Sequence, residues 1–379
     1  MTEERLDEDL PAAARPETGE RIVEAWRHGT LVLPLRDATS PVRLPGLHKS
    51  VLPASLSGAA RVSLLGVGEH FAAWRVAPQE NAPLLVRVPH VDPAELPQSL
   101  AHEIAALALA PVEVGPEPIA YADDPAASPL GVPYVVTSEV PGTAAAPGAW
   151  TTAHLAAHAE LLARLHTVAA PGRGPVSFGA APWDAVPTTT PSLIAEVAGA
   201  VADWREHAAA VIAEHELEPF LEATLARVAG VEEQIGSLDA FALTHGDLCA
   251  TNIMWDEAPG SEVPRVQYID FEWAQADDPA RDLAIIGGSV HAGPWYVPMD
   301  EEAVAGFVHV YLESRTRLGP VPDAIADLPS LRERMRAWTA YERTGMLVHL
   351  ARRARGRRSY RPLVEQMRPL LAAELGLPA

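Results

Sequence analysis

The chain has 379 residues, 48% of them apolar and 21% charged, enough hydrophobic material to bury a sizeable core and too much for an acid-rich disordered tail. Its formal net charge of −21 repels phosphate backbones and anionic lipid, which argues against nucleic acid or a membrane surface as partner and suits small cationic molecules. The single cysteine, Cys249, excludes an internal disulfide and a multi-cysteine zinc site. No run of about 18 apolar residues occurs, and residues 1–10 are acidic where a secretory signal would be basic, so a cytoplasmic location is expected. Of the 29 basic residues only Lys49 is lysine, a bias that runs through the whole chain.

Residues 1–60 are expected to form an irregular N-terminal extension, punctuated by Pro34, Pro41, Pro45 and Pro53, with a short amphipathic helix over 18–28. From Arg61 the pattern turns strand-like over 61–65, 71–77 and 84–88, with turn signals at Gly66, Gly68 and Asn81-Ala82-Pro83. Leu100, Ile104 and Leu107 then recur on one face of a helix, which Asp92-Pro93 or Pro97 would open, and 132–140 reads as a further strand ended by Pro141-Gly142. Beyond Trp150 the text is helical. Thr151 or Thr152 caps a stripe of Leu155, Ala159, Leu162 and Leu165, and a second helical stretch covers roughly 191–234. Two short strands, 253–255 and 266–271, bracket an acidic turn, and helix resumes after Asp282.

This order predicts a small strand-rich unit with one main helix over 61–140, a hinge near 139–150, and a larger, mainly helical unit over 141–379 that carries a short hairpin. Function is expected in the cleft between two such units.

The densest polar constellation is His245-Gly246-Asp247-Leu248-Cys249-Ala250-Thr251-Asn252, followed by Tyr268-Ile269-Asp270-Phe271-Glu272 and Asp278-Pro279-Ala280-Arg281-Asp282-Leu283-Ala284. Singly, Asp, Asn and Gly are ordinary turn residues. Their spacing on a strand, loop, strand pattern is what singles them out. The segment resembles the catalytic loop of protein-kinase-like phosphotransferases, and its histidine-glycine-aspartate form resembles the aminoglycoside and macrolide phosphotransferase family, which also holds choline and other small-metabolite kinases. The resemblance implies an α+β, bilobal protein-kinase-like fold, with a small antiparallel-sheet N-lobe carrying one main helix and a larger, mainly helical C-lobe.

Phosphoryl transfer needs an acceptor hydroxyl in line with the γ-phosphorus and charge neutralised on the transferred oxygens. Asp247 suits orientation and deprotonation of the hydroxyl, while Asn252 and Asp270, the latter expected at the end of a hairpin strand, offer the hard oxygens that Mg²⁺ prefers. A zinc site on His245 and Asp247 lacks a third ligand at a recognisable spacing.

The same resemblance implies a phosphate-covering loop at Gly66 and Gly68, whose backbone amides can approach phosphate oxygens. It also implies a phosphate-holding cation at Arg87, where the family usually has lysine, paired with Glu103, and nucleobase contacts from the backbone around Ser138 to Val140. His245 is expected to buttress the loop and Cys249 to be packing. Asp282 would accept backbone N–H bonds from the loop, and Asp278 would cap a turn. The arginines of 352–358 read as a solvated helix end, and Trp295, Tyr296, Trp338 and Tyr341 as core or as the wall of a substrate pocket.

The resulting expectation is a Mg²⁺-dependent kinase that moves the γ-phosphate of ATP or GTP to a hydroxyl of a small molecule. An aminoglycoside- or macrolide-type antibiotic is the first candidate acceptor, as in antibiotic resistance. A metabolite kinase acting on choline, a sugar or an amino alcohol is the rival enzyme, and a kinase-shaped binding module without turnover is the rival from another class.

Overall fold

The computed structural model describes residues 10–31, 58–79, 81–177, 187–256 and 265–378, which fall into two compact units. The first holds the described residues up to Pro141 together with 175–177 and Ile269–Ala274. Its centre is a five-stranded sheet of β1 (Ala60–Val67), β2 (Phe71–Pro78), β3 (Leu84–Pro89), β4 (Pro118–Ala122) and β5 (Tyr134–Ser138), in the order β1-β2-β3-β5-β4. Every pairing is antiparallel. Strand alternation sorts the side chains. Ala72, Trp74 and Val76 of β2 and Leu84, Val86 and Val88 of β3 enter one core, whereas Arg87 takes the opposite face of β3. Strand β4 is not signalled by the sequence, because it opens on proline and carries two alanines; a sheet edge tolerates both.

Within residues 10–31 the helix expected over 18–28 is present, and the segment packs into the core of the first unit instead of forming an irregular extension. Helix α1 (Pro16–Arg27) begins on a proline, which suits a first turn, and aligns Ile22, Ala25 and Trp26 on one face. These side chains join the core of Trp74, Val76 and Tyr134. The Trp74 indole donates to the Ala13 carbonyl at 2.8 Å and the Tyr134 hydroxyl to the Leu31 carbonyl at 2.8 Å, so both flanks of the helix are tied to the sheet. Pro34, Pro41, Pro45 and Pro53 lie outside the described residues. Helix α2 (Leu100–Leu109), capped by Ser99, lies against β4 and β5 and carries Glu103.

The second unit begins at Gly142. That glycine has φ +99°, and a Cβ there would stand 2.3 Å from the Trp255 carbonyl oxygen, so a close backbone approach requires it. Two three-stranded sheets follow. One orders β6 (Thr143–Ala144), β9 (Ile253–Asp256) and β10 (Arg265–Tyr268) as β10-β9-β6; the other orders β7 (Ala169–Ala170), β8 (Phe241–Thr244) and β11 (Gln275–Asp277) as β11-β8-β7. The rest is helical. Helix α3 (Thr152–Leu165) is capped by Thr151 in a reciprocal box with His154. The expected stretch of 191–234 is four helices: α4 (Leu193–His207), α5 (Ala209–Glu214), α6 (Glu218–Ala229) and α7 (Glu232–Gly236). After α8 (Ala280–Ile285) and the short pair β12 (Gly287–Gly288) and β13 (Val297–Pro298) come α9 (Glu301–Leu318), α10 (Asp323–Ala326), α11 (Leu328–Gly356) and α12 (Arg361–Leu375). Helix α11 packs on α6, α8 and α12. Among the described residues no helix is long and apolar enough to cross a membrane.

Trp26 is 1% exposed. Trp26→Ala should therefore destabilise the protein by about 3–5 kcal/mol in urea unfolding, the range for deleting a large buried aromatic, whereas a loosely attached extension would register under about 0.5 kcal/mol.

Candidate active site

Strand β8 delivers the chain into the loop of His245–Asp247, and a single 3₁₀ turn, Ala250–Asn252, returns it to β9. The loop is organised around one carboxylate. Asp282 of α8 is fully buried and accepts the His245 N–H on Oδ2 at 2.7 Å and the Gly246 N–H on Oδ1 at 2.8 Å, with His166 Nε2 at 3.2 Å from Oδ2. Aiming successive amides at one group demands a left-handed residue, and Gly246 supplies it with φ +80°. Burial opposes ionisation of Asp282, but the His166 hydrogen bond and the His245 ring and amide outweigh it, so its carboxyl lies below the ordinary 3.8.

His245 is buried, and its Nδ1 accepts the Asp247 N–H at 3.3 Å, the buttressing role expected of it. The Asn252 amide nitrogen donates to both the Asp247 carbonyl, at 2.8 Å, and the Asp247 Oδ2, at 2.9 Å. Two acceptors fix which end of the amide is the NH₂. Oδ1 of Asn252 is thereby left for another partner. The Ala250 N–H donates to the Trp295 carbonyl at 2.7 Å, and Arg281 reaches the Gly246 carbonyl at 3.3 Å, which secures the loop from two further sides. Asp278 accepts the Ala280 N–H and pairs with Arg334 at 2.8 Å, and Cys249 Sγ lies 3.1 Å from Thr251 Oγ1.

In the first unit, β3 and α2 bring Arg87 and Glu103 into a buried ion pair. Arg87 Nη2 also meets Asp270 Oδ1 at 2.5 Å and lies 3.8 Å from Glu272 Oε2, while its guanidinium sits 4.1 Å over the Phe71 ring. One cation thus serves three carboxylates. Burial works against the charge on Arg87, and Asp270, Glu103 and Glu272 together more than restore it, so its pKa is raised. Burial, helped by Asp270 and Glu272 and opposed by Arg87, pushes the Glu103 carboxyl up to about 7. His70 donates from Nδ1 to Glu272 Oε1 at 3.0 Å, and that bond raises the imidazole's pKa.

The structure therefore joins Arg87, Glu103 and Asp270 within the first unit and Asp247 and Asn252 within the second. Asp270 is not at the end of a hairpin strand: β10 stops at Tyr268, and Asp270 follows in left-handed backbone with φ +69°. Neither Gly66 nor Gly68 has positive φ, and a Cβ at Gly66 would meet nothing within 4 Å, so open space rather than strain distinguishes that loop. At Ser138 the N–H is already spent on the Glu117 carbonyl at 2.9 Å, and the Glu139 N–H on Pro83. The Val140 amide makes no such bond among the described residues. Glu272, His70 and His166 carry contacts that no sequence signal assigned to them; Glu272 lies within the quoted motif, and a carboxylate two residues from Asp270 was the available hint.

The sequence matches the phosphotransferase enzyme family over residues 61–333. No curated protein matches it. Among solved structures it resembles choline kinase from Cryptosporidium parvum Iowa II (13% identity, 94% of each chain covered, TM-score 0.56) and ethanolamine kinase from Plasmodium vivax (14% identity, 83% of this chain and 81% of that one, TM-score 0.53). It also resembles the GDP complex of aminoglycoside 2′-phosphotransferase-IIIa (17% identity, 83% of this chain and 92% of that one, TM-score 0.51). At these identities the likeness shows the fold.

Two stability measurements check the geometry. Arg87→Met leaves Glu103 buried without its cation and should cost about 3–5 kcal/mol in urea unfolding, against under about 1 kcal/mol if the pair were solvent-screened. Asp282→Asn turns one acceptor oxygen into an NH₂ that faces a backbone N–H and should lower stability at pH 7 by about 1–3 kcal/mol. Because the folded-state pKa of Asp282 is depressed, its contribution is present above the unfolded value of about 3.9 and is lost as pH falls through the folded value. The gap between wild type and Asp282→Asn should stay constant from about pH 7 to 5 and narrow below about pH 4.

Proposed function

The chain belongs to the phosphotransferase enzyme family, and on that premise we propose that it transfers the γ-phosphate of ATP or GTP to a hydroxyl group of a small molecule. The observation that carries the reading is the pinned loop, in which a buried anion fixes two amides and Asn252 fixes the neighbouring carboxylate of Asp247. Immobilised in this way, Asp247 is suited to orient an acceptor hydroxyl and accept its proton as the new oxygen–phosphorus bond forms. The bond from the γ-phosphorus to the bridging oxygen breaks, and the nucleoside diphosphate leaves. Arg87 has N–H donors beyond those given to Glu103 and Asp270, and these are assigned to phosphate oxygens.

Asn252 and Asp270 are assigned as oxygen donors to Mg²⁺. The donor set fits, because the amide oxygen of Asn252 remains after its NH₂ is spent, and Arg87 bonds only one oxygen of Asp270. Bound magnesium would neutralise charge on the transferred oxygens. Gly66, Gly68 and the Val140 amide are assigned to the nucleotide.

For the acceptor, an aminoglycoside- or macrolide-type antibiotic is proposed first, and choline or a related amino alcohol second. Aminoglycosides, choline and ethanolamine all carry a hydroxyl with a positively charged nitrogen, chemistry compatible with a chain of net charge −21. The protein is proposed to act in the cytoplasm. Incubating it with ATP or GTP and a panel of such alcohols, with products read by mass spectrometry, should reveal one phosphorylated class. Asp247→Asn should reduce turnover about 10²–10⁴-fold and keep nucleotide affinity within about threefold by calorimetry. Turnover undiminished in that variant would remove Asp247 from the chemistry, and a biological role that survives the variant's loss of turnover would favour a binding module.

A further inference from the structure

The second unit contains a cavity that the proposed chemistry does not use. It is a partly open hollow of about 590 Å³ where α12 and the end of α11 meet the segment from Glu214 to Phe220, within the range of small-molecule sites. Its floor is apolar, with Phe220, Ala354, Val364 and Ala372. Three arginines reach the same space: Arg355, Arg361 and Arg368. Arg355 pairs with Glu214 at 3.0 Å and Arg368 with Glu216 at 3.5 Å, whereas Arg361 makes no ion pair among the described residues, although Glu365 stands one helical turn away.

The local charge is the reverse of the chain's. Seven arginines and one acidic residue, Glu365, occupy 352–368 in a protein of net charge −21. Arg352, Arg355, Arg357, Arg358, Arg361 and Arg368 are all exposed; Arg355, Arg361 and Arg368 differ in that they line an apolar hollow, which Glu214 and Glu365 line with them. The cavity is also remote from the catalytic loop along a single helix. Arg343 of α11 stacks 3.5 Å over the Tyr296 ring, next to the Trp295 carbonyl that holds Ala250, and Arg355 is twelve residues further on, about 18 Å at the helical rise.

We propose that this cavity binds a small amphipathic organic anion, an aromatic or branched apolar body bearing one carboxylate or sulfonate. The body displaces water from Phe220, Val364 and Ala372, and the acidic group meets Arg361, which makes no ion pair among the described residues. Anilinonaphthalene sulfonate is a suitable probe, and phenylnaphthylamine has the same rings without the charge. The sulfonate should bind wild-type protein saturably at one site, with a rise in its fluorescence. Arg361→Gln, at an exposed position, should weaken it about tenfold and Arg361→Lys by less than about threefold, while phenylnaphthylamine binding is unchanged by either. Arg61→Gln, an exposed arginine of the first unit, should leave both probes unaffected. The proposal fails if the sulfonate does not saturate at one site, if Arg361→Gln binds it as well as wild type, or if the uncharged probe loses as much affinity as the charged one. None of these readouts depends on phosphate transfer.

Discussion

A carboxylate with no access to water needs enough donors to offset a desolvation penalty of several kcal/mol, and Asp282 obtains them from the loop it supports. The His245 and Gly246 amides and the His166 ring each contribute on the order of 1.5–3 kcal/mol as bonds to a charged group, so three together are sufficient. The dependence is mutual. Without the anion, two adjacent buried N–H groups would have no partner; without the left-handed turn at Gly246, they would not point the same way. Everything downstream inherits that geometry: the Asp247 N–H turns onto His245, and the Asp247 carboxylate onto Asn252.

The first unit has the opposite electrostatic composition. There a single guanidinium faces Glu103, Asp270 and Glu272, an excess of negative charge in a mostly buried setting. Burial holds the Glu103 carboxyl above its ordinary range, with Asp270 and Glu272 adding to the shift, and Oε2 of Glu272 is buried without a hydrogen bond among the described residues. Surplus carboxylate around a satisfied cation is an arrangement that gains from a further positive charge, which is physical support for the magnesium role proposed for Asp270. The left-handed backbone at Asp270 adds little cost of its own, since aspartate tolerates that conformation better than most residues, and Arg87 holds the side chain in place.

What could be read from the sequence follows from how locally each feature is encoded. Strand alternation in 84–89 puts Arg87 opposite Leu84, Val86 and Val88, and helical period sets Glu103 beside Ile104 and Leu107, so both positions were legible. The loop was legible through spacing and resemblance. By contrast, Glu272 meets His70 across 202 positions, and no local pattern announces such a contact. Strand β4 was invisible because Pro118, Ala120 and Ala122 have weak strand preference, which leaves only Ile119 and Tyr121 to mark it, and the strand depends on β5 for its pairing. Helix α1 was visible as an amphipathic pattern, but its destination was not, since a hydrophobic face does not say which core it enters. Ser138 illustrates the converse case: its position in the motif was clear, and only the pairing with Glu117 reveals that its amide is occupied.

The near-absence of lysine bears on Arg87 in a way composition alone could not show. In the second unit, Arg343 is fully buried and donates to the carbonyls of Val290, Ala284 and Ile285, capping the end of α8, while its plane stacks on Tyr296. Arg173 joins Asp277 to Glu196, and Arg334 joins Asp278 to Ser330. An ammonium has three donors around one point and no plane to stack, so it could not span these separations. Arg87 works in the same manner, bridging α2 to the segment after β10 with its ring-facing plane on Phe71. Arginine at this position is thus continuous with how the whole chain satisfies buried acceptors, and the bridging it performs is a capacity that lysine would lack.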